Sequence, residues 1–148
     1  MEEKNRRKLK VLVAIDGSEI GNLVIKASGR YAKISDCDLT VLNVAKVDPL
    51  TAELHESGHI TDLGRRKKEE AEEIVAKAQK TLKHFGVECE AKVGVGPVAA
   101  TILEVAEKGN FDVIFVGSRG FGGIKRMLLG SVADDVIRHA HCSVTVIR

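Results

Sequence analysis

The chain predicts an α/β domain: a doubly wound, five-stranded parallel sheet with helices on both faces. Three observations carry that prediction. Short β-branched apolar runs recur along the chain, with the composition of strands buried on both faces. Between them lie segments whose apolar residues recur at three- and four-residue spacing, as on the inward stripe of a helix. Glycine, serine and proline punctuate the joins. Strands and helices that alternate in this way imply a parallel sheet, and right-handed crossovers make doubly wound topologies the dominant solution.

The first strand is read over residues 10–16, "KVLVAID". A helix follows, with Ile20, Leu23, Val24, Ala27, Tyr31 and Ile34 on one stripe and Ser18 placed to cap it. "DLTVLNVA", 38–45, is the second strand, and residues 46–61, which contain Pro49 and Gly58, read as a variable loop. A long amphipathic helix over about 62–85 turns Ala71, Ile74, Val75, Ala78, Leu82 and Phe85 inward and stops at Gly86. Residues 87–94 alternate as a third strand. Pro97 in a first turn and Gly109 at the close bracket the next helix. "FDVIFVG" is the fourth strand, "SVADDVIRHA" the last helix with Val132, Val136, Ile137 and Ala140 inward, and "SVTVIR" the fifth strand.

Size and charge narrow the function. A chain of 148 residues reads as a single domain, 1–148, with residues 1–8 a charged leader; at this size folding buries roughly 70% of the unfolded surface. A net charge of +2 with 3% aromatics offers neither the basic field nor the stacking platform of a nucleic-acid binder. No apolar run approaches membrane-spanning length, and "MEEKNRRKLK" has no apolar core, so a cytoplasmic protein without membrane or nucleic-acid partners is expected. Cys37, Cys89 and Cys142, odd in number and without CxxC spacing, read as reduced thiols.

The chemistry concentrates after the fourth strand. "VGSRGFGGIKRMLLGSV", 116–132, places Gly117, Gly120, Gly122, Gly123 and Gly130 between a buried strand and a helix start. Bare backbone there admits phosphate oxygens to main-chain amides, with Arg119, Lys125 and Arg126 as nearby cations. Asp16 leaves the carboxyl end of the first strand, which flanks the fourth at the point where strand order reverses, and ligands of such sheets bind in that crevice. The spacing is neither G-x-x-x-x-G-K-[ST] nor a first-turn G-x-G-x-x-G; what remains is Gly117-x2-Gly120-x9-Gly130-Ser131. "HESGH", 55–59, matches HExxH in letters, but Ser57 and Gly58 oppose the helix that would aim His55 and His59 at one metal. No nucleophile–base pair or G-x-S-x-G elbow is present.

Over residues 9–148 the chain resembles the universal stress proteins, specifically their ATP-binding branch. The resemblance rests on "VLVAIDGSE", "LTVLNVA", "VGVGPVAATILEVAE", "DVIFVGSRG", "LLGSVADDVI" and "HCSVTVIR". It implies a Rossmann-like sheet of the adenine nucleotide alpha hydrolase type. It also implies that Ala14 and Asp16 line the adenine and ribose end and that Val44 contacts adenine through its backbone. Gly117, Arg119 and Gly120 would form the ribose and phosphate loop, and Gly130, Ser131 and Val132 the triphosphate seat. ATP with Mg²⁺ or Mn²⁺ is the implied ligand, and a homodimer through the last strand the implied assembly. The expected function is that of a nucleotide-dependent stress-response module without fast turnover. The alternatives are a dimeric interaction scaffold with a vestigial nucleotide site and a slow ATP hydrolase. For Asp16 a turn or cap role, and for Ser131 an N-cap role, stand beside ligand contact.

Overall fold

The computed structural model describes residues 6–119 and 129–148. Its strands are β1 (Leu9–Ala14), β2 (Cys37–Ala45), β3 (Cys89–Val95), β4 (Val113–Gly117) and β5 (Ser143–Ile147). The helices are α1 (Glu19–Ile34), α2 (Pro49–Glu56), α3 (Asp62–His84), α4 (Val98–Lys108) and α5 (Ser131–His139). All the strands are parallel, in the order β3-β2-β1-β4-β5. This is the doubly wound sheet expected. The chain winds outward in one direction from β1 to β3, crosses over, and winds outward the other way through β4 to β5.

Each face carries its own core. Val24 and Ile25 of α1 and Val75, Ala78 and Leu82 of α3 pack with Val11, Val13, Leu39 and Val41 on one face. Ile102 and Ala106 of α4 and Ala133 and Val136 of α5 pack with Leu12, Leu42, Ile114 and Val116 on the other. Successive strand residues point to opposite faces, so β1 and β2 must be apolar almost throughout, as they are. Complete burial of each such side chain is worth about 1.5–3 kcal/mol, and the centre of the sheet is where that contribution gathers.

Several expectations need correction. Residues 46–61 are not simply a loop, because α2 lies within them. Pro49 begins that helix: Asp48 is its N-cap, accepting from the Thr51 amide at 2.9 Å, and a proline at the first helical position forfeits only an amide that would go unpaired. The buried stripe of α1 is Gly21, Val24, Ile25, Ser28 and Gly29, whereas Leu23 is exposed and Ile34 is 86% exposed. Phe85 and Ile137 also face outward. Pro97 is the N-cap of α4, one position ahead of its first turn. The last two residues of the leader form ion pairs, Arg7 with Asp112 and Lys8 with Asp36 and Asp38.

Candidate functional site

The reversal of strand order falls between β1 and β4. From β1 the chain turns to α1 on one face, and from β4 it leads to α5 on the other, so the two connections diverge and leave a crevice at the carboxyl end of the sheet. A cavity of about 680 Å³ occupies it, within the range of small-molecule sites. Ala14, Asp16, Val44, Gly117, Arg119, Gly130, Ser131 and Val132 all border this one cavity. Gly120 lies outside the described residues, as do Phe121, Lys125 and Arg126.

The backbone at the end of β2 is the first polar feature. The amide and carbonyl of successive strand residues face alternate neighbours. The Ile15 amide donates to the Leu42 carbonyl at 2.9 Å on the β1 side, and the Gly96 amide donates to the Ala45 carbonyl at 3.1 Å on the β3 side. Val44 therefore directs both main-chain groups toward β1, where the chain has already turned off. No backbone bond among the described residues runs from the Val44 amide to the Ile15 carbonyl, which accepts instead from Asn43 Nδ2 at 2.7 Å. A donor and an acceptor on one residue thus stand open beside the cavity.

Asp16 shapes the turn out of β1. Its Oδ1 accepts from the Ser18 amide at 2.9 Å, and Ser18 Oγ in turn accepts from the Gly21 amide at 3.2 Å as the N-cap of α1. The turn role anticipated for Asp16 is therefore present, and the residue borders the cavity as well.

The second polar feature is the start of α5. Gly130 is its N-cap and no side chain caps it; Ser131 is the first helical residue and not the cap. The Asp134 amide closes the first helical bond onto the Gly130 carbonyl. This leaves the amides of Ser131, Val132 and Ala133 without intrahelical partners, and all three residues border the cavity. The glycines on either side answer first to the protein's own packing. A Cβ on Gly117 would stand 2.4 Å from Ile20 Cγ2, and one on Gly130 would stand 3.1 Å from the Ser118 carbonyl oxygen. Glycine lets α1, β4 and the start of α5 approach one another, and that approach is what gathers the amides.

Sequence reasoning missed one wall. Lys67, Glu70, Ala71 and Ile74 of α3 border the cavity, as do Val98 and Ile102 of α4 and Asn43 of β2. Ala71 and Ile74 belong to the inward stripe the periodicity identifies. The periodicity does not say that their end of α3 borders the cavity; the structure shows it. Lys67 and Glu70 form a loose pair at 3.9 Å.

Other candidates fall away. His55 is in the last turn of α2, Ser57 is its C-cap and Gly58 has φ +86°, so His55 and His59 share no helix face. Among the described residues no cluster of His, Cys, Asp or Glu is suited to hold a metal. The three cysteines are free and partly buried; burial pushes the Cys89 and Cys142 thiols up, away from the reactive thiolate. No helix among the described residues is long and apolar enough to cross a membrane.

Comparison with known proteins decides the kinship. Residues 9–148 match the sequence model of the Universal stress protein family. The chain belongs to that family. Universal stress protein MJ0531 of Methanocaldococcus jannaschii is 34% identical over 139 residues, covering 94% of this chain and 81% of the relative. Among solved structures, universal stress protein UspA from Lactobacillus plantarum superposes with a TM-score of 0.79 at 23% identity, covering 97% of this chain and all of that one. The universal stress protein from Archaeoglobus fulgidus in complex with dAMP gives 0.69 at 20% identity over 95% and 98% of the two chains. A family protein from Arabidopsis thaliana with AMP bound gives 0.64 at 21% identity over 94% and 90%. The fold is common to all of these.

Proposed function

We propose that this universal stress protein binds an adenine nucleotide in the cavity at the carboxyl end of its sheet. ATP with a divalent cation is the ligand that uses all of the cavity's polar features. The protein then acts as a nucleotide-dependent regulatory module of the stress response, in the cytoplasm and as a homodimer through the edge strand β5. The observation that carries this reading is the pairing of two open main-chain features on one cavity: the Val44 donor and acceptor, and the first-turn amides of α5. A donor beside an acceptor complements the ring nitrogen and exocyclic amine on one edge of adenine. A helix start with free amides and the positive end of its dipole complements phosphate. Ala14, Leu42, Val98, Ile102 and Val116 supply the apolar walls a purine needs. Family members bound to AMP and dAMP support the choice of base.

The donor set suits a cation carried by the nucleotide. Mg²⁺ binds through phosphates, waters and one or two carboxylates, and Asp16 and Glu70 are the carboxylates among the described cavity residues. Amides and cations of this kind stabilise ground-state charge as well as transition-state charge, which tightens binding without speeding the chemical step. Binding with slow turnover is the expected behaviour.

Thermal unfolding with and without millimolar ATP·Mg²⁺ tests the reading. A micromolar site should add about 4 kcal/mol of stability, a melting shift on the order of 8–16 °C, and millimolar GTP should add much less. No shift with either nucleotide would favour a dimeric scaffold with a vestigial site. Phosphate release faster than about 1 s⁻¹ would place the protein among ordinary enzymes and end the regulatory reading.

A further inference from the structure

We infer that Asn43 is a positioning residue that holds the Val44 main chain open for ligand. The inference rests on the nucleotide reading only for the identity of that ligand. In a parallel ladder that continued one step past Ala14 and Leu42, the last paired residues of β1 and β2, the Val44 amide would donate to the Ile15 carbonyl. The Ile15 amide does take its ladder place, donating to the Leu42 carbonyl at 2.9 Å, but the return bond from Val44 is absent. The Ile15 carbonyl is filled from the side by Asn43 Nδ2 at 2.7 Å. Asn43 is only 6% exposed and borders the cavity. A carbonyl can only accept, so the amide nitrogen of Asn43 must face it, and the side chain occupies the place a strand amide would claim.

The consequence reaches binding. A buried main-chain amide normally finds a partner, and in a sheet that partner is the neighbouring strand. By satisfying Ile15 from a side chain, Asn43 removes the partner that would close the end of β2 and leaves the Val44 N–H to pair with an acceptor in the cavity. For adenine that acceptor is a ring nitrogen next to the exocyclic amine, with the amine meeting the Val44 carbonyl. Replacing Asn43 by an apolar residue frees the Ile15 carbonyl, and the ladder can then extend by one bond at the expense of the ligand's donor.

Amide hydrogen exchange on the full chain, with ATP·Mg²⁺ as probe, tests this. In ligand-free wild type the Val44 amide should exchange at least about tenfold faster than those of Asn43 and Ala45, which face β3, and ATP should slow it. Asn43→Leu should slow Val44 exchange without ligand and weaken ATP binding about five- to tenfold, the value of one hydrogen bond. Asn43→His, whose Nδ1–H stands at the same remove from the backbone, should restore both properties. A merely structural asparagine would leave Val44 exchange where it was or raise it. Ligand-free wild type with Val44 as protected as its neighbours would overturn the inference, as would an Asn43→Leu protein that binds ATP normally. Should Asn43→Leu fail to fold, the wild-type exchange pattern decides alone. Should wild type not bind ATP at all, the nucleotide reading falls while the ligand-free exchange still judges Asn43.

Discussion

The two ends of this parallel sheet treat their polar groups in opposite ways. At the amino end the chain closes on itself. The Leu9 amide donates to the Asp36 carbonyl, and the Asp112 amide donates to the Lys10 carbonyl at 2.8 Å. The Asp112 carboxylate takes a two-pronged bond from the Arg7 guanidinium, at 2.8 and 2.7 Å, and a third from the Lys10 amide at 2.8 Å. Lys10 Nζ bonds the Gly109 carbonyl and stands 4.9 Å from the centre of the Phe111 ring. At the carboxyl end β1 stops short, a side chain fills the Ile15 carbonyl, the Val44 main chain is left open, and α5 starts with no side-chain cap. The same sheet thus shows which polar groups serve the fold and which are kept for something else. Closed groups contribute stability, whereas open groups beside a cavity stay available to a ligand.

Substitutions at either end sharpen this contrast. The largest effect is expected at Gly117, because Gly117→Val drives side-chain atoms into Ile20. Overpacking of this kind costs about 1–3 kcal/mol, or a melting decrease of roughly 2–12 °C for a chain of this length, and nucleotide binding should fall with it. Asp112→Ala should cost about 1–2 kcal/mol by leaving the partly buried Lys10 amide without its acceptor. Its ATP affinity should match that of wild type, since the change lies at the far end of the sheet. A large loss of ATP affinity in that variant, measured by calorimetry, would erase the distinction between the two ends.

Acid should weaken the closed end through Asp112. Hydrogen bonding from Arg7, then from the Lys10 amide, holds the Asp112 carboxyl down at about 2, against an ordinary value near 3.8. A carboxylate whose folded-state value is depressed binds fewer protons folded than unfolded between those two values. Its contribution is therefore complete above about pH 4 and lost as pH falls toward 2. Acid unfolding of wild type should show this limb, and Asp112→Asn should lack it. The smallest effect is expected at Arg119, where Arg119→Ala should weaken ATP about three- to fivefold, in keeping with a solvent-accessible charge. Adenosine binding should be unchanged.

Much of this was legible in the chain itself. The apolar runs of β1, β2 and β4 and the stripes of α1 and α3 predict the sheet and its two faces, because burial on both sides leaves few residue types acceptable. The spacing from Gly117 to Ser131 points to the crevice. The segment from Asp48 to Glu56 is ambiguous in the sequence because proline marks a helix start and a turn alike; the capping aspartate before it is the signal that favours a helix. Leu23, Ile34 and Ile137 fall on their stripes yet lie exposed, because an apolar side chain at the margin of a stripe is cheap to expose. Asn43 escaped notice for a different reason: its role depends on β1 ending one residue earlier than its apolar run suggests. Only the register of β1 against β2 reveals that.

A crystal structure grown with ATP and Mg²⁺ tests the central claim most directly. The open groups at the carboxyl end should hold the nucleotide, with the purine edge on the Val44 main chain and the phosphates on the Ser131, Val132 and Ala133 amides. A purine bound away from Asp16 and Val44, with the crevice filled by Phe121 or another side chain, would contradict it.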